Sequence, residues 1–101
     1  MAMGLGATLM EATHYDARNG RAVVRNLADY HVPSMADTPD ILVEALNIPD
    51  PHISAQSARG IGEIGCVGTP AAITNAVFHA TGQRLRSLPL TPDKLLKAMA
   101  S

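Results

Sequence analysis

The chain has 101 residues, a formal net charge of −1 and one cysteine, so it is one domain at most, and Cys66 alone excludes an internal disulfide or a cysteine-rich zinc site. Hydrophobic residues make up 47% but aromatics only 3%, with no tryptophan; a core made of Ala, Val, Leu, Ile and Met buries less per side chain than one with large aromatics, which fits a piece of a larger unit at least as well as a lone domain. The absence of a basic patch and the near-absence of stacking residues argue against nucleic acid as a partner, and no apolar run approaches the roughly 20 residues of a membrane span.

The opening "MAMGLGATLMEA" has no basic n-region and meets an acid at Glu11, so it does not read as a signal peptide. Within it Leu5, Leu9 and Ala12 recur at helical spacing, predicting a helix from about Gly4. Its two glycines each weaken an isolated helix by about 1 kcal/mol relative to alanine, so this helix needs a packing partner. Asn19-Gly20 is a turn signal beside the β-branched Val23-Val24, predicting a turn into a short strand near Arg21–Asn26. "NLADYHVPSMADTPD" is a connector in which Pro33 and Pro39 bar regular structure. "ILVEALNI" is short, mostly apolar and closed by Pro49, and predicts a second strand near Ile41–Leu46.

After the polar "PDPHISAQSAR" comes a glycine-rich loop and then two helices. Thr69 as cap and Pro70 at the first position open a helix near Pro70–Thr81, with Ile73, Ala76, Val77 and Ala80 on one stripe and Gly82 at the stop. Thr91, Pro92 and Asp93 open the last, near Pro92–Ala100, with Leu95, Leu96 and Met99 as its apolar side. The expected class is therefore α+β: short strands and three helices around an irregular glycine loop. There is no internal repeat.

The loop "ARGIGEIGCVGTP" carries Gly60, Gly62, Gly65 and Gly68, and a single carboxylate, Glu63; the next acid is Asp93. "GIGEIG" satisfies the dinucleotide fingerprint, but that mechanism needs a buried strand before it, a helix opening inside it and an acid about 20 residues on. The preceding residues are too polar, the helix is expected only near Pro70, and the acid is missing. A Walker loop fails because no Lys-Ser/Thr follows. Two readings of the glycines stay open. They bring backbone N–H groups close to an anion, helped by the helix at Pro70 and by Arg59, or they serve a tight connector in which Glu63 is a solvated carboxylate.

"GIGEIG" followed by "GTPAAITNAVFHATGQRLRSLPLTPDKLL" resembles the C-terminal end of the molybdopterin-binding large subunit of the xanthine dehydrogenase/aldehyde oxidase family. "NLADYHVPSMADTPDI" is similar to a segment just upstream in that subunit, and "MGLGATLMEAT" to the helix before it. The resemblance runs through essentially the whole chain, in order, and is nearest to the bacterial aldehyde oxidoreductases. It implies that residues 1–101 are a C-terminal fragment of a molybdopterin-binding domain. It also implies oxidation of aldehydes, or hydroxylation of N-heteroaromatics, with water as oxygen source. Glu63 is then the catalytic base, and Arg59, Gly60, Ile61 and Gly62 contact a molybdopterin cytosine dinucleotide. The implied partners are the remainder of that subunit and iron–sulfur and FAD subunits or domains.

Family subunits are several times longer, so the resemblance implies a chain inactive alone and holding no cofactor by itself. The alternative is a non-catalytic remnant or interaction module that binds no molybdenum cofactor. His14, His31, His52 and His79 form no pair at metal-ligand spacing, and Cys66 reads as a small packing residue. Arg84 and Arg86 either pair with acids elsewhere or stay hydrated. The thin core predicts self-association of the isolated chain. Substrate and compartment, cytoplasm or periplasm, are not legible.

Overall fold

A computed structural model describes all residues, 1–101. Four helical elements follow one another: α1 (Ala2–Leu9), the single-turn α2 (Ile64–Val67), α3 (Thr69–Thr81) and α4 (Pro92–Met99). α1 rests on α2 and α3, and α2 runs into α3 through Gly68. Residues 10–63 cross between α1 and α2 as turns and extended chain.

The glycines of α1 have the packing partner their helix needs. A Cβ on Gly4 would lie 2.7 Å from the Cβ of Thr69 at the start of α3, and one on Gly6 would lie 2.6 Å from Cγ of Pro33. Both glycines are buried, as is Thr8, whose hydroxyl donates to the Gly4 carbonyl. The Leu90 amide donates to the Thr8 carbonyl at 2.6 Å, tying the approach to α4 onto the end of α1. Gly4, Gly6, Thr8 and Leu90 are the buried residues of the chain. The core is thus a close backbone contact rather than a cluster of large side chains.

The α+β expectation is overturned: the chain has no β-strand. Near Arg21–Asn26 there is only an isolated antiparallel bridge, Tyr15 to Ala22. The turn between its arms is as expected, with Gly20 at φ +69°, where glycine alone is unstrained. The ladder stops because Asn26 turns the chain: its Oδ1 accepts the amides of Ala28 and Asp29 at 2.9 and 3.1 Å. Ile41–Leu46 has no pairing partner in this chain. Residues 41–49 are all exposed, and their one backbone bond is local, Ile48 N–H to Leu46 O. Backbone donors need a neighbouring chain segment to become a sheet, and apolar content alone does not supply one.

Helix ends follow local chemistry. α3 begins one residue earlier than expected, because Thr69 is its first residue and not its cap; the Thr69 hydroxyl donates back to the Gly65 carbonyl at 2.8 Å. Gly82 closes α3 in the left-handed conformation, φ +73°, the usual use of glycine past a helix end. α4 has Thr91 in extended conformation before Pro92.

The shape is open. The radius of gyration is 17.9 Å, against about 13 Å for a globular domain of this length. The accessible surface is 8335 Å², against about 5,500 Å² for a folded monomer of 10.6 kDa. The excess, about 2,900 Å², includes Leu42, Leu46, Ile48, Ile61, Ile64 and Leu96, all more than half exposed. No helix is long and apolar enough to cross a membrane.

Candidate functional site

The glycine loop is bounded by a self-tied segment before it and a helix after it. Asp50 opens the segment. Its Oδ1 accepts the His52 amide at 3.1 Å, and its Oδ2 is ion-paired with the Arg59 guanidinium. Between them, Ser54 Oγ accepts the Ala58 amide at 3.1 Å, and Ser57 sits at φ +52°. The loop therefore leaves from a neck closed by Asp50 and Arg59. Asp50 went unremarked in the sequence; its place beside Pro49 and Pro51, nine residues before Arg59, is the only signal that could have raised it.

From Gly60 to Glu63 the amides donate to no other group of the chain. A Cβ at Gly60 or Gly62 would meet nothing within 4 Å. The loop thus offers consecutive backbone donors with no side chain of the chain lying against those two glycines. Arg59, Gly60, Ile61, Gly62 and Glu63 are contiguous and exposed. Arg59, expected as a cation beside the loop, is half of an ion pair with Asp50. Its side chain keeps 63% exposure, so its outer edge is open to a second acceptor.

Glu63 is the N-cap residue of α2, at φ −114° and ψ 9°, and its carbonyl accepts the Cys66 amide at 2.8 Å. The helix thus opens inside the glycine pattern, at Ile64, earlier than the sequence indicates. The preceding residues, Asp50–Arg59, form turns and irregular chain and no strand, so the dinucleotide fold remains excluded on the two other grounds, the missing strand and the missing acid. Gly65 lies against α1, where a Cβ would reach Met1 Cγ at 3.7 Å, and Thr69 accounts for its carbonyl. Of the four glycines, two face open space in the loop and two shape the α2–α3 corner.

An apolar groove lies behind α2. It has a volume of about 470 Å³ and is walled by Met1, Leu5, Ile41, Ile64 and Ile73. Ile64 directly follows Glu63 in the chain, so the wall of the groove begins one residue after the carboxylate. The remaining candidates are scattered. His79 is exposed on α3 and Cys66 half-buried in α2. No group of three or more His, Cys, Asp or Glu side chains is gathered that could hold a metal ion. Arg84 is exposed; within this chain it donates to Asn75 Oδ1 at 2.7 Å and stacks over Phe78, 4.0 Å from the ring centre.

Residues 1–39 match the family model described as a molybdopterin cofactor-binding domain. The chain is 49% identical over 96 residues to the aldehyde oxidoreductase molybdenum-binding subunit PaoC of Escherichia coli (strain K12), covering 95% of this chain and 13% of that subunit. It is 40% identical over 95 residues to the putative xanthine dehydrogenase molybdenum-binding subunit XdhA of the same organism, covering 94% of this chain and 12% of that one. In three dimensions it superposes on quinoline 2-oxidoreductase from Pseudomonas putida 86 with a TM-score of 0.84 and 30% identity, over 99% of this chain and 13% of that one. The chain therefore spans only about an eighth of the length of the relatives it matches. The order of its segments, its backbone and these similarities together make it similar, through nearly all of its length, to a short part of the molybdopterin-binding subunits of the xanthine dehydrogenase/aldehyde oxidase family.

Proposed function

We propose that this chain is the C-terminal part of the molybdopterin-binding domain of a molybdenum hydroxylase, where Glu63 is the general base and Arg59–Gly62 form part of the cofactor loop. The observation that carries the reading is the isolation of Glu63. It is the one carboxylate in the loop, held at the N-cap of α2 beside unpaired loop amides and two glycines facing open space. These residues fit a phosphate-bearing organic cofactor, because glycine at 60 and 62 lets the backbone approach closely and the amides present donors to anionic oxygens. The cofactor in this reading is molybdopterin cytosine dinucleotide, and when bound it supplies two-electron oxidation with oxygen taken from water.

The chain's own residues then have distinct tasks. Glu63 accepts a proton at its carboxylate as water becomes the nucleophile, a task that needs hydrogen-bond reach and no competing acid. Asp50 anchors the Arg59 side chain and so fixes where the loop leaves its neck. The substrates are aldehydes or N-heteroaromatics, and electrons leave through iron–sulfur and FAD subunits or domains. The chain is inactive without the rest of its subunit.

The test is a chimera: the assembled E. coli aldehyde oxidoreductase whose matching segment of the molybdenum-binding subunit is replaced by this chain. Glu63→Gln is expected to keep molybdenum content while turnover of an aromatic aldehyde falls roughly 10²–10⁴-fold. Gly62→Val is expected to lower molybdenum content itself. No atom of this chain lies within 4 Å of a Cβ there, so the substitution meets no clash at that Cβ within the chain itself. Near-parental turnover of Glu63→Gln at full molybdenum loading would sink the assignment.

A further inference from the structure

We infer that the groove between α1, α2 and α3 seats an apolar, uncharged ridge of side chains from the rest of the molybdenum-binding polypeptide. This rests on the reading that the chain works inside such a subunit, but not on the role of Glu63. The groove is about 470 Å³, and no charged side chain lines it; Met1, Leu5, Ile41, Ile64 and Ile73 form its walls. Exposed apolar surface of this kind marks a place of contact.

None of the chain's three aromatic side chains lines it. Phe78 is covered by Arg84, and the Tyr30 hydroxyl is held by Glu11 Oε2 at 2.9 Å. Two observations assign the occupant to the remainder of the subunit and not to a second copy. The same open backbone recurs as 13% of the quinoline 2-oxidoreductase chain, with a TM-score of 0.84 over 99% of this one. A shape kept so closely within a longer polypeptide is a shape fitted to the rest of it. The excess surface of about 2,900 Å² also far exceeds the roughly 800 Å² per partner of an ordinary interface, as a permanent seam requires. Because α2 floors the groove and carries Glu63 at its N-cap, the occupant also presses on the element that presents the base.

The experiment measures access to the groove. Ile41 lies on its wall in extended chain, where a substitution breaks no helix. In a Cys66→Ser background, Ile41→Cys is made both in the 101-residue chain and in the assembled chimera. Alkylation of the peptide bearing position 41 is followed by mass spectrometry. The expected result is at least about ten-fold slower alkylation in the chimera, a protection removed by denaturant. Adding Ile73→Asp, which places a charge in the seat, is expected to raise the rate again, while Glu63→Gln leaves it slow. Equal rates in the chimera and the free chain overturn the proposal. So does protection in the free chain that grows with its concentration, which would make the occupant a second copy. A chimera that fails to assemble overturns it too, since the groove would then not match the remainder. Slow alkylation in a chimera whose turnover is insensitive to Glu63→Gln would sink the catalytic reading and leave the docking groove standing.

Discussion

Gly4→Ala should destabilise the chain, although alanine is the better helix former. In a free helix the change would gain about 1 kcal/mol. Here the new Cβ would lie 2.7 Å from Thr69 Cβ and 3.1 Å from its Cγ2, well inside the roughly 3.5–4.0 Å of carbon–carbon contact. The opposing atom is a Cβ on the first residue of α3 and cannot swing aside, so α1 and α3 must part. Overpacking costs about 1–3 kcal/mol, and a rigid clash belongs in the upper part of that range, leaving a net loss of about 1–2 kcal/mol. For a domain of this size that lowers the melting temperature by roughly 5–15 °C. Gly68→Ala is the matched opposite. Its backbone is ordinary right-handed helix, φ −84° and ψ −15°, with nothing within 4 Å of a Cβ, so it should stabilise by about 0.4–1 kcal/mol through the unfolded chain. Thr69→Ser removes Cγ2 but keeps the clashing Cβ, and so should not rescue Gly4→Ala. Urea and thermal unfolding of the variants by circular dichroism measures all three. A Gly4→Ala variant more stable than the parent would refute the idea that backbone approach, and not helix propensity, holds α1 in place.

Gly82→Ala should cost about 1–2 kcal/mol from left-handed backbone alone, since no neighbouring atom opposes its Cβ, and Gly82→Asn should cost clearly less; unfolding midpoints of the pair separate backbone strain from packing. Tyr30 predicts an alkaline limit: its hydroxyl donates to Glu11, and that bond, helped by burial and the nearby carboxylate charge, holds its pKa above the ordinary value of 10.0. Its contribution is complete below about pH 10 and is lost as the pH rises through the higher folded value, so Tyr30→Phe should flatten the fall of melting temperature above about pH 10. Equal alkaline slopes for parent and variant would remove that hydrogen bond from the account.

What could be read in advance depended on how local each signal was. α3 and α4 declare themselves within a few residues, through Pro70 and Pro92 at helix starts and Gly82 at a stop, because the groups they satisfy or leave out belong to the same turn. α1 was legible by periodicity, but the reason it tolerates Gly4 and Gly6 lies 27 and more residues away, in Pro33 and Thr69. α2 was missed since four residues carry no period, and its glycine argued against helix. The two expected strands failed for a different reason. Val23-Val24 and Ile41–Leu46 have strand composition, but a strand is a relation between two segments, and composition states only one side of it. Asn26 then decided against the first by turning the chain with a side-chain bond that no hydrophobic pattern contains.

The candidate site divides along the same line. Glu63 and its glycines were visible because a lone carboxylate among glycines is a pattern in one dimension. The pairing of Arg59 with Asp50 was not, since it joins the ends of a ten-residue loop. That pairing alters the chemistry expected of the loop. A free Arg59 would bring a full positive charge to an anionic ligand. An Arg59 shared with Asp50 brings a charge already largely offset, so the loop amides must carry more of the recognition. Asp50→Asn would then weaken the neck and release the guanidinium together, with opposite consequences for an anion at the loop. The neck resists movement of the loop only weakly, because an exposed ion pair contributes on the order of 0–1 kcal/mol, and the groove walled by Ile64 is open within this chain. A base must be held within hydrogen-bond reach of its proton, and α2, whose N-cap is Glu63, has its groove side unpacked within this chain. Under the proposed role of Glu63 as base, its position is completed by what fills the groove behind α2, so a substitution that empties the groove, such as Ile73→Asp, should lower turnover as well as expose position 41.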